Sequence, residues 1–102
     1  MILIYGMNEC SDCRDCKNNF DRFGIEYEFK NITDIKNLRQ FLIYRDTNPA
    51  VFDKLKEAHD IGIPCLVNEG VVFTDWETYL KELGYTDIIK EGKSCSITHK
   101  NC

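Results

Sequence analysis

Cys10-Ser11-Asp12-Cys13 holds the residue types best suited to do chemistry. Two thiols two residues apart can close a disulfide when a helix sets them one turn apart. The pair follows the apolar run Ile2-Leu3-Ile4-Tyr5 and the loop Gly6-Met7-Asn8-Glu9, and it opens a segment of helical periodicity running to about Phe23. At a helix start, unpaired main-chain N–H groups and the positive end of the helix dipole favour an anion. The thiolate is the reactive form of cysteine. Cys10 therefore reads as the nucleophile, and Cys13 as the thiol that resolves its mixed disulfide. In a βαβ setting this spacing is a redox motif. Arg14 and Lys17 favour a thiolate here, whereas Glu9, Asp12 and Asp15 oppose one.

The other four cysteines need their own account. Cys16 continues the helix face of Cys13, Phe20 and Phe23, and reads first as core. Cys13-Arg14-Asp15-Cys16 is also a second pair at the same spacing, which makes Cys16 an auxiliary redox candidate. Cys10, Cys13 and Cys16 form a C-x2-C-x2-C run like part of a ferredoxin motif, without its fourth cysteine and following proline. Cys65 reads as core in a strand expected to approach the first helix, near Cys13 or Cys16. Cys95 and Cys102 flank His99. Those are ligand types suited to zinc at an unusual spacing, or a second dithiol passing electrons to Cys10 and Cys13, or a tail without chemistry. A metal or iron–sulfur module on the same thiolates is the alternative to redox catalysis.

The elements that position these residues follow from periodicity. Ile2–Tyr5 reads as a buried strand. The first helix, from about residue 11 to 23, ends at Gly24. Ile25, Tyr27 and Phe29 alternate with Glu26, Glu28 and Lys30, as in a strand with one wet face. After a turn at residues 31–34, capped by Thr33 or Asp34, a helix with Ile35, Leu38, Phe41 and Leu42 inward runs to about Arg45. Asp46-Thr47-Asn48-Pro49 breaks it. A further helix from about Ala50 to His59 is stopped by Gly62. His59 reads as a last-turn residue that suits the dipole. Ile63–Val67 and Val71–Phe73 read as a hairpin around Asn68-Glu69-Gly70. Thr74 and Glu77 fit a capping box for a final helix to about Leu83, closed by Gly84. Ile88 and Ile89 add a turn, and residues 91–102 form a polar, Cys-containing tail. The order is β-α-β-α-α-β-β-α in an α/β fold, one domain over residues 1–90.

The totals narrow the classes. A net charge of −4 leaves no basic surplus for nucleic acid. No basic, apolar leader stands at the N-terminus, and no run approaches the ~20 apolar residues of a membrane span. A cytoplasmic monomer is expected, in a compartment where structural disulfides are uncommon.

The element order, the cysteine pair after the first strand, and Ile63-Pro64 opening the third strand resemble a glutaredoxin of the thioredoxin fold, over about residues 1–83. The small bacterial glutaredoxin-related proteins are its nearest form. The resemblance implies a four-stranded mixed sheet flanked by helices and thiol–disulfide oxidoreductase activity. It implies a cis Ile63–Pro64 bond beside the active-site cysteines, with Ile63 and Pro64 shaping the substrate groove. Substrates would be disulfides of proteins or small molecules, with no tightly bound cofactor, and the reductant would be glutathione, a thioredoxin system or another dithiol. Three positions depart from the family pattern. Ser11-Asp12 stands where Pro-Tyr is common, Met7 where a basic residue is common, and Phe73-Thr74 where a double glycine is common. The groups missing at the second and third of these positions are those that hold glutathione in the family.

Overall fold

A computed structural model describes residues 1–91. The chain runs β1 (Ile2–Gly6), α1 (Ser11–Arg22), β2 (Tyr27–Asn31), α2 (Ile35–Thr47), α3 (Pro49–Glu57), β3 (Cys65–Asn68), β4 (Val71–Phe73) and α4 (Trp76–Glu82). This is the α/β order read from the sequence, and the sheet is four-stranded and mixed, in the order β2-β1-β3-β4. Cys95, His99 and Cys102 lie outside the described residues.

β1 is the central organiser. It pairs parallel with β2, Ile2 opposite Tyr27, and antiparallel with β3, Tyr5 opposite Cys65. Alternation along a strand sends neighbours to opposite faces. Ile2 and Ile4 meet Cys16 and Phe20 of α1, Leu66, and Trp76 and Leu80 of α4. Tyr5 faces the other way, into Phe41 of α2, Phe52 of α3, Cys65 and Val67. One core thus lies under α1 and α4, the other under α2 and α3. Among the described residues, no helix is long and apolar enough to cross a membrane.

The helix ends show where local pattern decides and where it misleads. Phe23 caps α1, Gly24 turns left-handed, and Ile25 N–H donates to Phe20 O, a Schellman closure. That bond consumes Ile25, so β2 begins at Tyr27 instead. α3 closes in the same way at His59, whose φ of 59° puts it in the glycine-favoured position. His59 N–H donates to Lys56 O, and Asp60 N–H donates to Leu55 O. His59, not Gly62, is therefore the stop. Gly62 instead lies against the Phe52 ring, where a Cβ would come within 2.8 Å. Pro49 begins α3, where its missing N–H costs nothing. The expected Thr74 cap is also corrected. Asp75 caps α4, accepting from Thr78 N–H at 3.1 Å, and its carboxyl is held low by bonds from Thr78.

Residues 85–90 form no turn, contrary to the expectation for Ile88 and Ile89. They run as a strap along α1. Buried Asn19 donates to Ile89 O at 2.8 Å and accepts from Ile89 N–H at 3.0 Å, as a strand partner would. Buried Asp15 accepts from Glu91 N–H at 3.1 Å. Arg22 bonds Asp87, and the Tyr85 ring stacks on Phe23.

Candidate active site

β1 leads directly to the cysteine pair. A turn closed by Cys10 N–H donating to Met7 O puts Cys10 at the N-cap of α1 with extended backbone, φ −86° and ψ 119°. Serine, asparagine and aspartate usually occupy such a position because their side chain accepts an orphan N–H. Here the Cys10 sulfur does so, accepting from Cys13 N–H at 3.3 Å. Cys10 is partly exposed and Cys13 is fully buried. Burial pushes the Cys13 thiol well above the ordinary range, and its hydrogen bond to Cys10 adds to the rise. Cys13 therefore keeps its proton while Cys10 is free.

The space for that second thiol comes from Gly6, the last residue of β1. A Cβ there would lie 2.6 Å from Cys13 Sγ and 3.4 Å from the Phe29 ring. The sequence signal was available: a glycine on the inward-facing side of a buried strand, just before the cysteine loop. Gly6→Ala is expected to push the Cys13 sulfur off Cys10 and to cost ~1–3 kcal/mol by overpacking. Urea titration reads the cost, and unchanged stability would show that the approach is not tight.

Asp12, between the two cysteines, accepts from buried Trp76 Nε1–H at 3.3 Å. Burial pushes its carboxyl up, and the bond from Trp76 opposes that. This contact ties the cysteine turn to the start of α4 and had no signal in local sequence. Arg14 donates to Asn8 O at 2.8 Å and forks onto the Glu91 carboxylate at 2.6 and 3.3 Å. The loop before Cys10 and the end of the strap thus meet on one guanidinium. Lys17, expected at the thiolate, is engaged elsewhere: its ammonium bonds Asn8 Oδ1 at 2.7 Å and sits over the Phe29 ring.

Ile63 and Pro64 precede β3, and the bond between them is cis. The β1–β3 register, Ile4 opposite Leu66 and Tyr5 opposite Cys65, carries one step further to set Pro64 across from Gly6 and hence near Cys13. Pro64 is fully buried, and Ile63 packs at the margin of the α2–α3 core.

The remaining described cysteines are separated. Cys16 is fully buried among Phe20, Leu66 and Trp76, and burial pushes its thiol up. Cys65 lies on the opposite face of the sheet from Cys16, beside Tyr5 and Phe52, so of the two neighbours expected for it, Cys13 or Cys16, it does not approach Cys16. Burial pushes the Cys65 thiol up to about 12. Among the described residues, no three of His, Cys, Asp or Glu gather into a set that could hold a metal ion.

Comparison with known proteins agrees with this geometry. A family model for glutaredoxin matches residues 2–72. An uncharacterized protein of Haemophilus influenzae is 37% identical over 67 residues, which are 65% of this chain and 76% of the relative.

Proposed function

The chain belongs to the glutaredoxin family, and from that premise we propose that it is a thiol–disulfide oxidoreductase working through Cys10 and Cys13. Cys10 attacks a substrate disulfide. One sulfur–sulfur bond forms to Cys10, the substrate's own breaks, and the leaving sulfur departs as a thiolate and takes a proton. Cys13 then gives up its proton and attacks Cys10 Sγ. A Cys10–Cys13 disulfide forms, and the second substrate thiol leaves. The substrate gains two electrons and the dithiol loses them. Two molecules of glutathione, which leave as their disulfide, or one dithiol such as a thioredoxin system supplies, return the pair to the reduced state. Fully buried Pro64 holds the backbone of half-buried Ile63 beside the pair, where it meets the substrate. The cytoplasm is the compartment that suits a reduced dithiol.

One observation carries this reading: the Cys10 sulfur stands at the N-cap of α1, hydrogen-bonded to Cys13 N–H, with the second thiol one turn below. The missing basic residue at Met7 and the missing double glycine at Phe73-Thr74 remove groups that hold glutathione in the family. Disulfides of proteins or of other small molecules are accordingly the substrate class.

The test equilibrates the full chain across a series of dithiol redox buffers, then alkylates and maps the thiols by mass spectrometry. A Cys10–Cys13 disulfide appearing at one defined potential is expected. A chain whose oxidised form lacks any bridge to Cys10 would rule the assignment out.

A further inference from the structure

Outside the redox turn, the β3–β4 hairpin and α4 enclose a cleft of about 490 Å³. Its floor is apolar, made by Val71, Phe73 and Tyr79, and the Phe73 and Tyr79 rings lie 5.0 Å apart. Val71 stands 64% exposed on this floor. The rim is acidic, formed by Glu69, Asp75 and Glu82, and among the described residues no lysine or arginine lines the cleft. Asp75 spends its carboxylate on capping α4. Among the described residues, Glu69 and Glu82 enter none of the salt bridges.

The position of the cleft matters as much as its charge. Among the described residues β4 is the outer strand of the sheet, and its outward main-chain groups meet no further strand there. The register sets Val71 across from Asn68 and Phe73 across from Leu66. The cleft therefore runs from the hairpin turn toward the start of α4, where Trp76 reaches Asp12 between the two cysteines.

Glu69 adds a second feature. Both central residues of the hairpin turn have positive φ, 51° at Glu69 and 84° at Gly70. A two-residue hairpin of that kind favours asparagine followed by glycine. A glutamate in the first position forgoes local stability and places its carboxylate on the rim.

We propose that this cleft docks an extended, basic segment of a partner protein. An apolar side chain of the segment rests on Val71, Phe73 and Tyr79, and a lysine or arginine pairs with Glu69 and Glu82. Complementary charge is what selects the occupant: the rim attracts a basic segment and repels an acidic one. The proposal rests on the oxidoreductase reading and deepens it: the Glu69 end of the cleft lies at the end of the sheet opposite to Cys10, so a segment held here reaches the cysteine pair by running along β4 to the start of α4, where Trp76 meets Asp12.

Two cysteine-free heptapeptides test it, Gly-Lys-Val-Arg-Leu-Lys-Gly and Gly-Glu-Val-Asp-Leu-Glu-Gly, titrated into the isotope-labelled full chain and followed by NMR. The basic peptide is expected to shift amide resonances between residues 68 and 82, less so at higher salt, and the acidic one to leave them unmoved. Glu69→Asn and Glu82→Gln are each expected to weaken binding about threefold at low salt. Glu69→Asn should also raise the melting temperature, so its weaker binding cannot come from unfolding. Equal binding of both peptides, binding of neither, shifts confined to other regions, or full affinity in Glu69→Asn would each overturn the proposal. The peptides carry no thiol, so docking is read whether or not disulfides are turned over. Turnover without docking removes the cleft proposal alone, and docking without turnover removes the oxidoreductase reading.

Discussion

Replacing Cys10 with serine is expected to lower disulfide turnover by more than about a thousandfold, the scale on which removing a nucleophile from a working unit is felt. The fold should tolerate the change. Serine is among the preferred N-cap residues, and its oxygen can take the Cys13 N–H that the sulfur now accepts. Stability should stay within ~0.5 kcal/mol, the ordinary range for a benign surface change. Loss of turnover at unchanged urea midpoint therefore reports chemistry and not unfolding. Cys13→Ser should behave differently. Cys10 still attacks, but nothing inside the turn resolves the mixed disulfide, so the adduct accumulates and is seen on a non-reducing gel. Buried, protonated Cys13 is poised for this step: once Cys10 is in a mixed disulfide, Cys13 is the thiol already hydrogen-bonded to it. Turnover surviving in Cys10→Ser, or no trapped adduct in Cys13→Ser, would remove the assigned roles.

The parts of this fold legible in the sequence are those set by neighbours in the chain. β1 reads correctly because a run without polar residues can only be buried on both faces, and the structure sends Ile4 and Tyr5 into separate cores. The inward face of α1 reads correctly because Cys13, Cys16 and Phe20 repeat at helical spacing, and all three are fully buried. The misreadings share a cause. Thr74 and Asp75 are both good caps, and which one is used depends on where β4 delivers the chain. His59 closes α3 although residue preference pointed to Gly62, because Gly62 is required against Phe52. Asp15 and Asn19 are polar residues of α1, yet both are buried. What covers them is a strap some 70 residues further along the chain, without a periodic signal of its own. The Asp12–Trp76 contact spans 64 residues and was hidden for the same reason.

That strap gives the second large effect. Asn19 is saturated: its amide donates to Asp15 O and Ile89 O, and its oxygen accepts from Ile89 N–H and Arg22 Nη1. Asn19→Leu keeps the volume and removes all four bonds. Each buried polar group left without a partner costs ~1–3 kcal/mol. Ile89 is more than half exposed, so the strap can peel away and let water take its N–H and C=O. Peeling limits the loss to the packing and bonds of the strap itself, about 2–3 kcal/mol. For a chain of this size that lowers the melting temperature by roughly 8–24 °C. Hydrogen exchange distinguishes peeling from global loosening. The amides of Ile89 and Glu91 should lose protection, while those of Ile4 and Leu66 keep theirs relative to the new global stability. The redox turn should be spared even though the strap ends on Arg14. The loop before Cys10 has a second anchor in Lys17 on Asn8 Oδ1, and Cys10 is held by its own helix cap. Alkylation of Cys10 at neutral pH should therefore change by less than about twofold, the scale of an exposed ion pair. A larger change would mean that the strap acts on the nucleophile through Arg14 and Glu91, and unaltered stability would mean that the Asn19 bonds to Ile89 do not hold it.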